Sequence, residues 1–385
     1  MNKPTGTIFL PKKFSEETYV TDRYHNLFKE IQKRLGWDLI IEDDIDVNKV
    51  KTNYLLIFKC PQADDPSRLV NVKNINRTVR LIGYYADLQQ KGRSDIYIKN
   101  MDDVLDRCDI ILTAYKEAFI EKWEKYWYKT KWFPQFYGPD ERFDKLDYNF
   151  NKCIKKILLI GATTVRYYPL RNFIDKINYH IKKVSHPGYQ IKDFDRKTEL
   201  GYKTRDLYAE EINKYCGTIA TCSTEKYVIA KYFEIPAAGS LLIANKCNDL
   251  VELGFKEDVH YVEIDKTNVH KKILHIIQNF NAYWSIIKEG REFVQKNFST
   301  KARVDQFVKI IEEDYENNIK GKGEIIIGNR LIYVCGANDI RAEGKIQGNT
   351  MIVYHNNEPY EVYNKGYDKR SDLLIYNFCR KGLGI

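Results

Sequence analysis

The run GTIATCSTEKYVIAKYFEIPAAGSLLIANKCND, residues 217–249, decides how the rest of the chain is read. It opens on a β-like segment, Gly217-Thr218-Ile219-Ala220-Thr221, passes through a polar loop, and enters a helix-like stretch that ends at Gly239. A second apolar segment follows at once, Leu241-Leu242-Ile243-Ala244. Within the helical stretch Tyr227, Lys231, Glu234 and Ala238 recur at steps of four, three and four, which predicts that they share one face. Gly239 suits the left-handed residue that closes a helix, and Pro236 limits how far a regular helix continues.

Such a strand-helix-strand unit offers a ligand three groups. The helix start, expected near Thr224 to Tyr227, concentrates backbone N–H donors and positive potential, and Lys231 adds a cation; both suit phosphate. Glu234 is an acceptor-only carboxylate that takes two hydrogen bonds at once, which suits a pair of sugar hydroxyls. A nucleotide sugar wants all three. The alternative is a surface ion pair between Lys231 and Glu234, stabilising a helix by about a few tenths of a kcal/mol.

The segment Lys156-Ile157-Leu158-Leu159-Ile160-Gly161-Ala162-Thr163-Thr164 reads as a strand running into a small-residue loop, followed by Val165-Arg166-Tyr167-Tyr168-Pro169-Leu170-Arg171 at a helix start, with the helix expected to reach about Lys182. Gly161 permits a close backbone turn, and Arg166 and Arg171 place two permanent cations beside it, a combination suited to a diphosphate. Solvated arginines, or a structural ion pair for Arg171, are the competing reading.

These residues resemble a family. The run from Lys231 through Glu234-Ile235-Pro236-Ala237-Ala238-Gly239 to Ile243, with Asn248-Asp249-Leu250-Val251-Glu252-Leu253 after it, is similar to the donor-binding segment of group 1 glycosyltransferases of GT-B fold, nearest the spore-maturation-type branch. The resemblance implies an α/β fold of GT-B architecture: two Rossmann-like domains facing a cleft. It places the donor ribose on Glu234 and the diphosphate near Lys231. It further implies donor contacts from Gly161, Thr163, Arg166 and Arg171, from Ser223, Lys226 and Tyr227, and from Ala238 and Gly239. Many relatives carry an acid eight positions before the ribose-binding one; here that position is Lys226, with Glu225 one place away.

Other stretches fit this frame. Thr7-Ile8-Phe9-Leu10, Asp38-Leu39-Ile40-Ile41, Tyr54 to Phe58, Val79 to Tyr84 and Asp109 to Thr113 are short apolar runs separated by helical patterns, including Thr21 to Leu35 and Met101 to Arg107. Such runs predict a parallel sheet covered on both faces. Asp87 follows one of these strands, where ligands of doubly wound sheets gather, and is the candidate base for an acceptor hydroxyl; a solvated turn residue is the alternative. Residues 131–140 read as an interdomain connector. A helix from Arg205 to Tyr215, a strand over 259–264 and three helices within 268–318 complete the second domain, the last helix capped by Ser299 or Thr300. Residues 1–150 are thus expected to form an acceptor-side domain and 151–320 a donor-binding one. Residues 321–385 carry short apolar runs split by Gly-Asn and His-Asn-Asn turn signals, predicting a small β-rich appendage of antiparallel strands.

Composition narrows the classes. A chain of 385 residues holds two cores of ordinary size, and a formal charge of +9 favours anionic ligands in general. The 29 tyrosines accompany a Lys/Asn/Ile-rich composition, and otherwise suit carbohydrate or base stacking. The 8 cysteines form no Cys-x-x-Cys pair, which points to a reducing, cytoplasmic compartment. No stretch is apolar enough to span a bilayer. No zinc spacing, Walker loop or nucleophile elbow is present, and Asp44-Ile45-Asp46 and Asp193-Phe194-Asp195 match a metal-binding Asp-x-Asp only in its shortest form. The expectation is a metal-independent transferase with no cofactor, taking a nucleoside diphosphate sugar as substrate and a glycan, glycoprotein or lipid-linked hydroxyl as acceptor. A non-catalytic nucleotide-sugar-binding subunit and a nucleic-acid-binding protein are the alternatives, the latter lacking a basic stripe.

Overall fold

The computed structural model describes residues 4–12, 22–58, 75, 79–85, 95–148, 150–177, 179–184 and 204–318, and strand segments of the tail. Asp87, the 186–189 turn and the Asp193–Asp195 motif lie outside the described residues. The chain divides into two compact units, Met1–Phe307 and Val308–Ile385.

The first unit holds two parallel sheets. The N-terminal one contains β1 (Gly6–Pro11), β2 (Asp38–Glu42), β3 (Tyr54–Phe58), β4 (Arg80–Tyr85), β5 (Ile110–Thr113) and β6 (Thr130–Trp132) in the order β2-β1-β3-β4-β5-β6. Its helices are α1 (Asp22–Leu35), α2 (Asp95–Arg107) and α3 (Lys116–Trp123). A short helix α4 (Asp140–Asp144) sits on the connector. The second sheet contains β7 (Ile154–Ile160), β8 (Ile181–Val184), β9 (Tyr215–Ala220), β10 (Leu241–Ala244) and β11 (Val262–Glu263) in the order β8-β7-β9-β10-β11. Its helices are α5 (Pro169–Asp175), α6 (Arg205–Asn213), α7 (Lys231–Ala237), α8 (Asn248–Glu252), α9 (Val269–Gln278) and α10 (Trp284–Phe298), and α11 (Thr300–Asn318) follows.

Strands β3, β9 and β10 are buried along their whole length, as expected where helices cover both faces of a parallel sheet. Many tyrosines are core: Tyr24, Tyr54, Tyr84, Tyr137, Tyr232 and Tyr261 are all buried. Tyr84 meets Phe58 and Phe133 edge-on at 5.4 and 5.3 Å. Both sheets reverse their strand order at one point, between β1 and β3 and between β7 and β9. A crevice opens at the C-terminal strand ends wherever such a reversal occurs.

Three elements differ from the sequence expectation. The helix after Gly161 stops at Asp175, and Ile181–Val184 instead adds strand β8 beside β7, with His180 turning the chain at φ 58°. The strand expected over 259–264 shrinks to two residues, because Asp258 takes φ 57° and the His260 ring accepts the Lys256 N–H in a tight turn. The helix expected from Thr224 begins only at Lys231.

The first two turns or so of α11 pack back on the N-terminal lobe. Gln306 donates to the Trp132 carbonyl at 2.8 Å and Phe307 meets Trp37 edge-on. Its start is capped twice: Ser299 Oγ accepts the Ala302 N–H, and Asp140 of the connector accepts those of Thr300 and Lys301 at 2.7 and 3.1 Å. Among the described residues no helix is long and apolar enough to cross a membrane. In the second unit β12 (Glu324–Ile327) and β13 (Arg330–Tyr333) form a hairpin. There β14 (Gly344–Gln347), β15 (Thr350–His355), β16 (Glu358–Asp368) and β17 (Leu373–Arg380) form an antiparallel meander.

Candidate functional site

The loops that leave β7 and β9 line the crevice between those strands. Gly161 turns out of β7 at φ 111°, a conformation that disfavours any side chain. A Cβ there would lie 3.2 Å from Lys231 Nζ and 3.6 Å from Arg171 Nη1, so the missing side chain lets both cations reach the loop. Arg171 is buried; its Nη1 donates to the Ala162 carbonyl at 2.9 Å, and its guanidinium lies over the Tyr168 ring at 4.2 Å. Asn172 donates to the Thr163 carbonyl, and Thr163 Oγ1 donates to Asp175 at 3.4 Å. Arg166 is exposed over the Tyr167 ring, and its carbonyl accepts from the Thr224 hydroxyl, tying the first loop to the second.

The second loop corrects the helix-start expectation. Ser223 Oγ accepts the N–H groups of Glu225 and Tyr227 at 3.2 and 3.4 Å, and Lys226 adopts φ 59°. Local side-chain bonding of this kind competes with helix formation, so the stretch stays a turn. When α7 does begin, its first amides are spent internally: Tyr232 N–H on Ile229, Phe233 and Glu234 N–H on Ala230. The amides that open this helix thus lie beyond the Thr224 to Tyr227 stretch, three of them internally bonded, and Tyr227 stands outside the helix that carries Lys231 and Glu234. At the other end Ala238 and Gly239 close α7. Gly239, at φ 73°, donates to Pro236 and Ser240 donates to Ile235, the pairing of a left-handed helix stop.

Lys231 and Glu234 face the crevice with Arg171. Glu234 Oε2 accepts from the Tyr208 hydroxyl at 2.8 Å, and Oε1 accepts from Arg23 Nη1 at 3.2 Å, across from the first turn of α1. Their burial is high: the Arg23 and Glu234 side chains are 18% and 11% exposed. Burial and then the Glu234 charge push the Tyr208 hydroxyl well above its usual range. Burial, reinforced by Arg171 and Arg23, pulls the Lys231 ammonium down to about 8 against the attraction of Glu234. Glu234 is thus bonded to Arg23 and attracts Lys231, which in turn lies within electrostatic reach of Arg171. A site so charged favours a polyanion.

Lys226 and Tyr227 belong to a seam between the lobes. The Tyr227 ring stacks on Tyr115 with centroids 3.9 Å apart and planes 2° from parallel. Lys226 Nζ bonds Glu117 and Glu121 of α3 at 2.7 and 2.5 Å. Beside them Asp249 of α8 is buried and accepts the Lys116 and Glu117 N–H groups, each at 3.0 Å, capping α3 from the opposite lobe. Burial first, with the nearby Glu117 and Glu252 charges adding to it, pushes the Asp249 carboxyl up to about 6 despite those two amides. Lys116 pairs with Glu252.

Of the sequence-derived candidates, then, the structure gathers Gly161, Arg171, Lys231 and Glu234 at one point, with Thr163 and Ser223 shaping the loops. Arg166 lies at the exposed rim, Lys226 and Tyr227 join the seam, Ala238 and Gly239 end a helix, and Asp87 lies outside the described residues. Sequence reading missed Arg23, Tyr208 and Asp249 as site or seam residues. Arg23 carries no local signal, being one polar residue on an amphipathic helix, and its partner lies 211 positions away.

A glycosyl transferase-like family model matches residues 168–309, the segment containing Arg171, Lys231 and Glu234. No curated protein sequence is similar to the chain. Several solved structures share its fold. An alpha-glucosyltransferase in complex with UDP-glucose and DNA aligns with TM-score 0.57 and 13% identity over 81% of this chain and 100% of the other. Sucrose-phosphate synthase from Thermosynechococcus elongatus aligns with TM-score 0.59 and 13% identity over 82% and 100%. HepE of Anabaena in complex with UDP-glucose aligns with TM-score 0.50 and 10% identity over 80% and 100%. The fold is α/β with parallel sheets, of the GT-B kind.

Proposed function

We propose that the protein is a metal-independent glycosyltransferase of group 1, nearest the spore-maturation-type branch, moving a sugar from a nucleoside diphosphate sugar to a hydroxyl acceptor. The observation that carries this reading is the meeting of Lys231, Arg171 and Glu234 around the side-chain-free Gly161 at the β7/β9 reversal. The family match over the same residues, and fold neighbours whose structures hold UDP-glucose, support it.

In this reading Glu234 accepts the ribose hydroxyls, and Lys231 and Arg171 hold the diphosphate. The bond between the sugar's anomeric carbon and the diphosphate oxygen breaks, its electron pair leaving with the diphosphate, while a bond forms to the acceptor oxygen. Negative charge grows on the leaving group, and fixed cations in a buried site stabilise it without rearranging. They supply the countercharge that a divalent ion supplies elsewhere. The acceptor proton is assigned to Asp87, two residues beyond the end of β4 in sequence. The acceptor is a glycan, glycoprotein or lipid-linked hydroxyl. A cytoplasmic setting fits the described cysteines, which are free thiols.

Incubation with a panel of nucleotide sugars and candidate acceptors, with and without a chelator, tests this. Nucleotide release insensitive to the chelator is expected with one donor. Tight binding without release would favour a non-catalytic subunit, and neither binding nor release across the panel would end the donor reading.

A further inference from the structure

Arg23 enters the crevice from the lobe opposite the donor loops. Its contact with Glu234 uses one of the five N–H donors of a guanidinium, and its buried Nε–H meets no acceptor among the described residues. The side chain is held in place from behind. Asp22, the preceding residue, pairs with Arg142 Nη2 at 2.6 Å, and Arg142 Nε reaches Asp206 at 3.2 Å on α6, the helix that also presents Tyr208 to Glu234. The first turn of α1 is therefore braced against the same helix that orients the carboxylate. A guanidinium with a spare buried donor, beside a carboxylate shared with Tyr208 and near two further cations, is arranged to bind an anion.

We propose that Arg23 is a ligand of the donor diphosphate, supplied by the N-terminal lobe. It bonds Glu234 in the structure described and turns its fork to phosphate oxygens when ribose hydroxyls engage that carboxylate. Planar guanidinium forks match paired phosphate oxygens, and a dianion is a stronger partner than a shared carboxylate. The anion is then gripped from both sides, and fully only while the lobes are together. This inference rests on the donor-site reading above.

Equilibrium binding of UDP, GDP and ADP, each beside its own nucleoside, to the full chain and to its R23Q and R23K variants tests it, with unfolding midpoints recorded for each. R23Q should lose on the order of ten- to hundredfold in affinity for the preferred diphosphate, the effect of removing a charged hydrogen-bond donor. Nucleoside affinity should hold or improve, and R23K should recover part of the loss. Equal losses for diphosphate and nucleoside, or no loss at all, would overturn the proposal and leave Arg23 as a positioning residue for Glu234. Should R23Q fail to fold, R23K decides: a loss confined to the diphosphate supports the proposal, and a uniform loss sinks it. If the unaltered protein binds none of the six compounds, the donor-site reading itself fails.

Discussion

At the scale of single residues, the charge of Lys231 makes a prediction about pH. Burial and then the Arg171 charge pull the Lys231 ammonium down to about 8, whereas a bound diphosphate would hold it charged. Donor-sugar affinity is therefore expected to fall as pH rises above about 8, by up to about one log unit per pH unit, and K231R should flatten that profile. The sign for folding is opposite. A lysine depressed in the native state costs stability while it is charged, so without added nucleotide the protein should gain stability from about pH 8 up to the ordinary lysine range, which thermal unfolding at stepped pH would read. Gly161 supports a second expectation: G161A forces a side chain into φ 111° against Lys231 and should cost about 1–3 kcal/mol of stability, measured by denaturant titration. E234A should weaken nucleotide binding by about tenfold or more, and an unchanged dissociation constant would remove its ribose role. The spacing of Lys231 and Glu234 made their common face legible in the sequence, because residues three apart on a helix share a face whatever surrounds them, while their donor role was read from the resemblance. Arg23 was illegible for the complementary reason: its role comes from a contact between distant segments.

Among the elements, the central strands were readable as short apolar runs, since burial on both faces leaves little room for polar residues, whereas the half-exposed β8 and the short β6 were not. Helix starts were less readable. The Ser223 turn delays α7 to Lys231, and no apolar period marks that competition between side-chain and backbone bonding. Helix α3 shows the other difficulty: its cap is not Tyr115 before it but Asp249 from the far lobe. That arrangement has a measurable signature. Asp249 is raised in the folded protein to about 6, so the native state binds the extra proton between the ordinary carboxylate range and 6. Its contribution therefore disfavours folding increasingly as pH rises through that window and is constant above it. D249N has no such proton, so the unfolding temperature of the variant relative to the parent should climb from about pH 4 to 6 and then level off. A difference independent of pH would show that Asp249 titrates normally.

Across the whole first unit, parallel sheets were legible from alternating strand and helix patterns, but neither their strand order nor the seam between them was. Lys226 looked like a donor contact from its position before Glu234, yet its ammonium sits on Glu117 and Glu121. Exposed pairs of this kind add little stability, about 0–1 kcal/mol. Reversing the charge is a stronger perturbation: K226E should part the lobes, raising the radius of gyration in solution scattering, and adding E117K and E121K should restore it. The cap on α3 has one further consequence. Among the described residues, the amide protons of Lys116 and Glu117 find their acceptor on Asp249 of the other lobe. Each excursion that separates the lobes bares those protons to solvent, so their deuterium uptake is an intrinsic clock for opening, readable with no label, no nucleotide and no knowledge of the sugar.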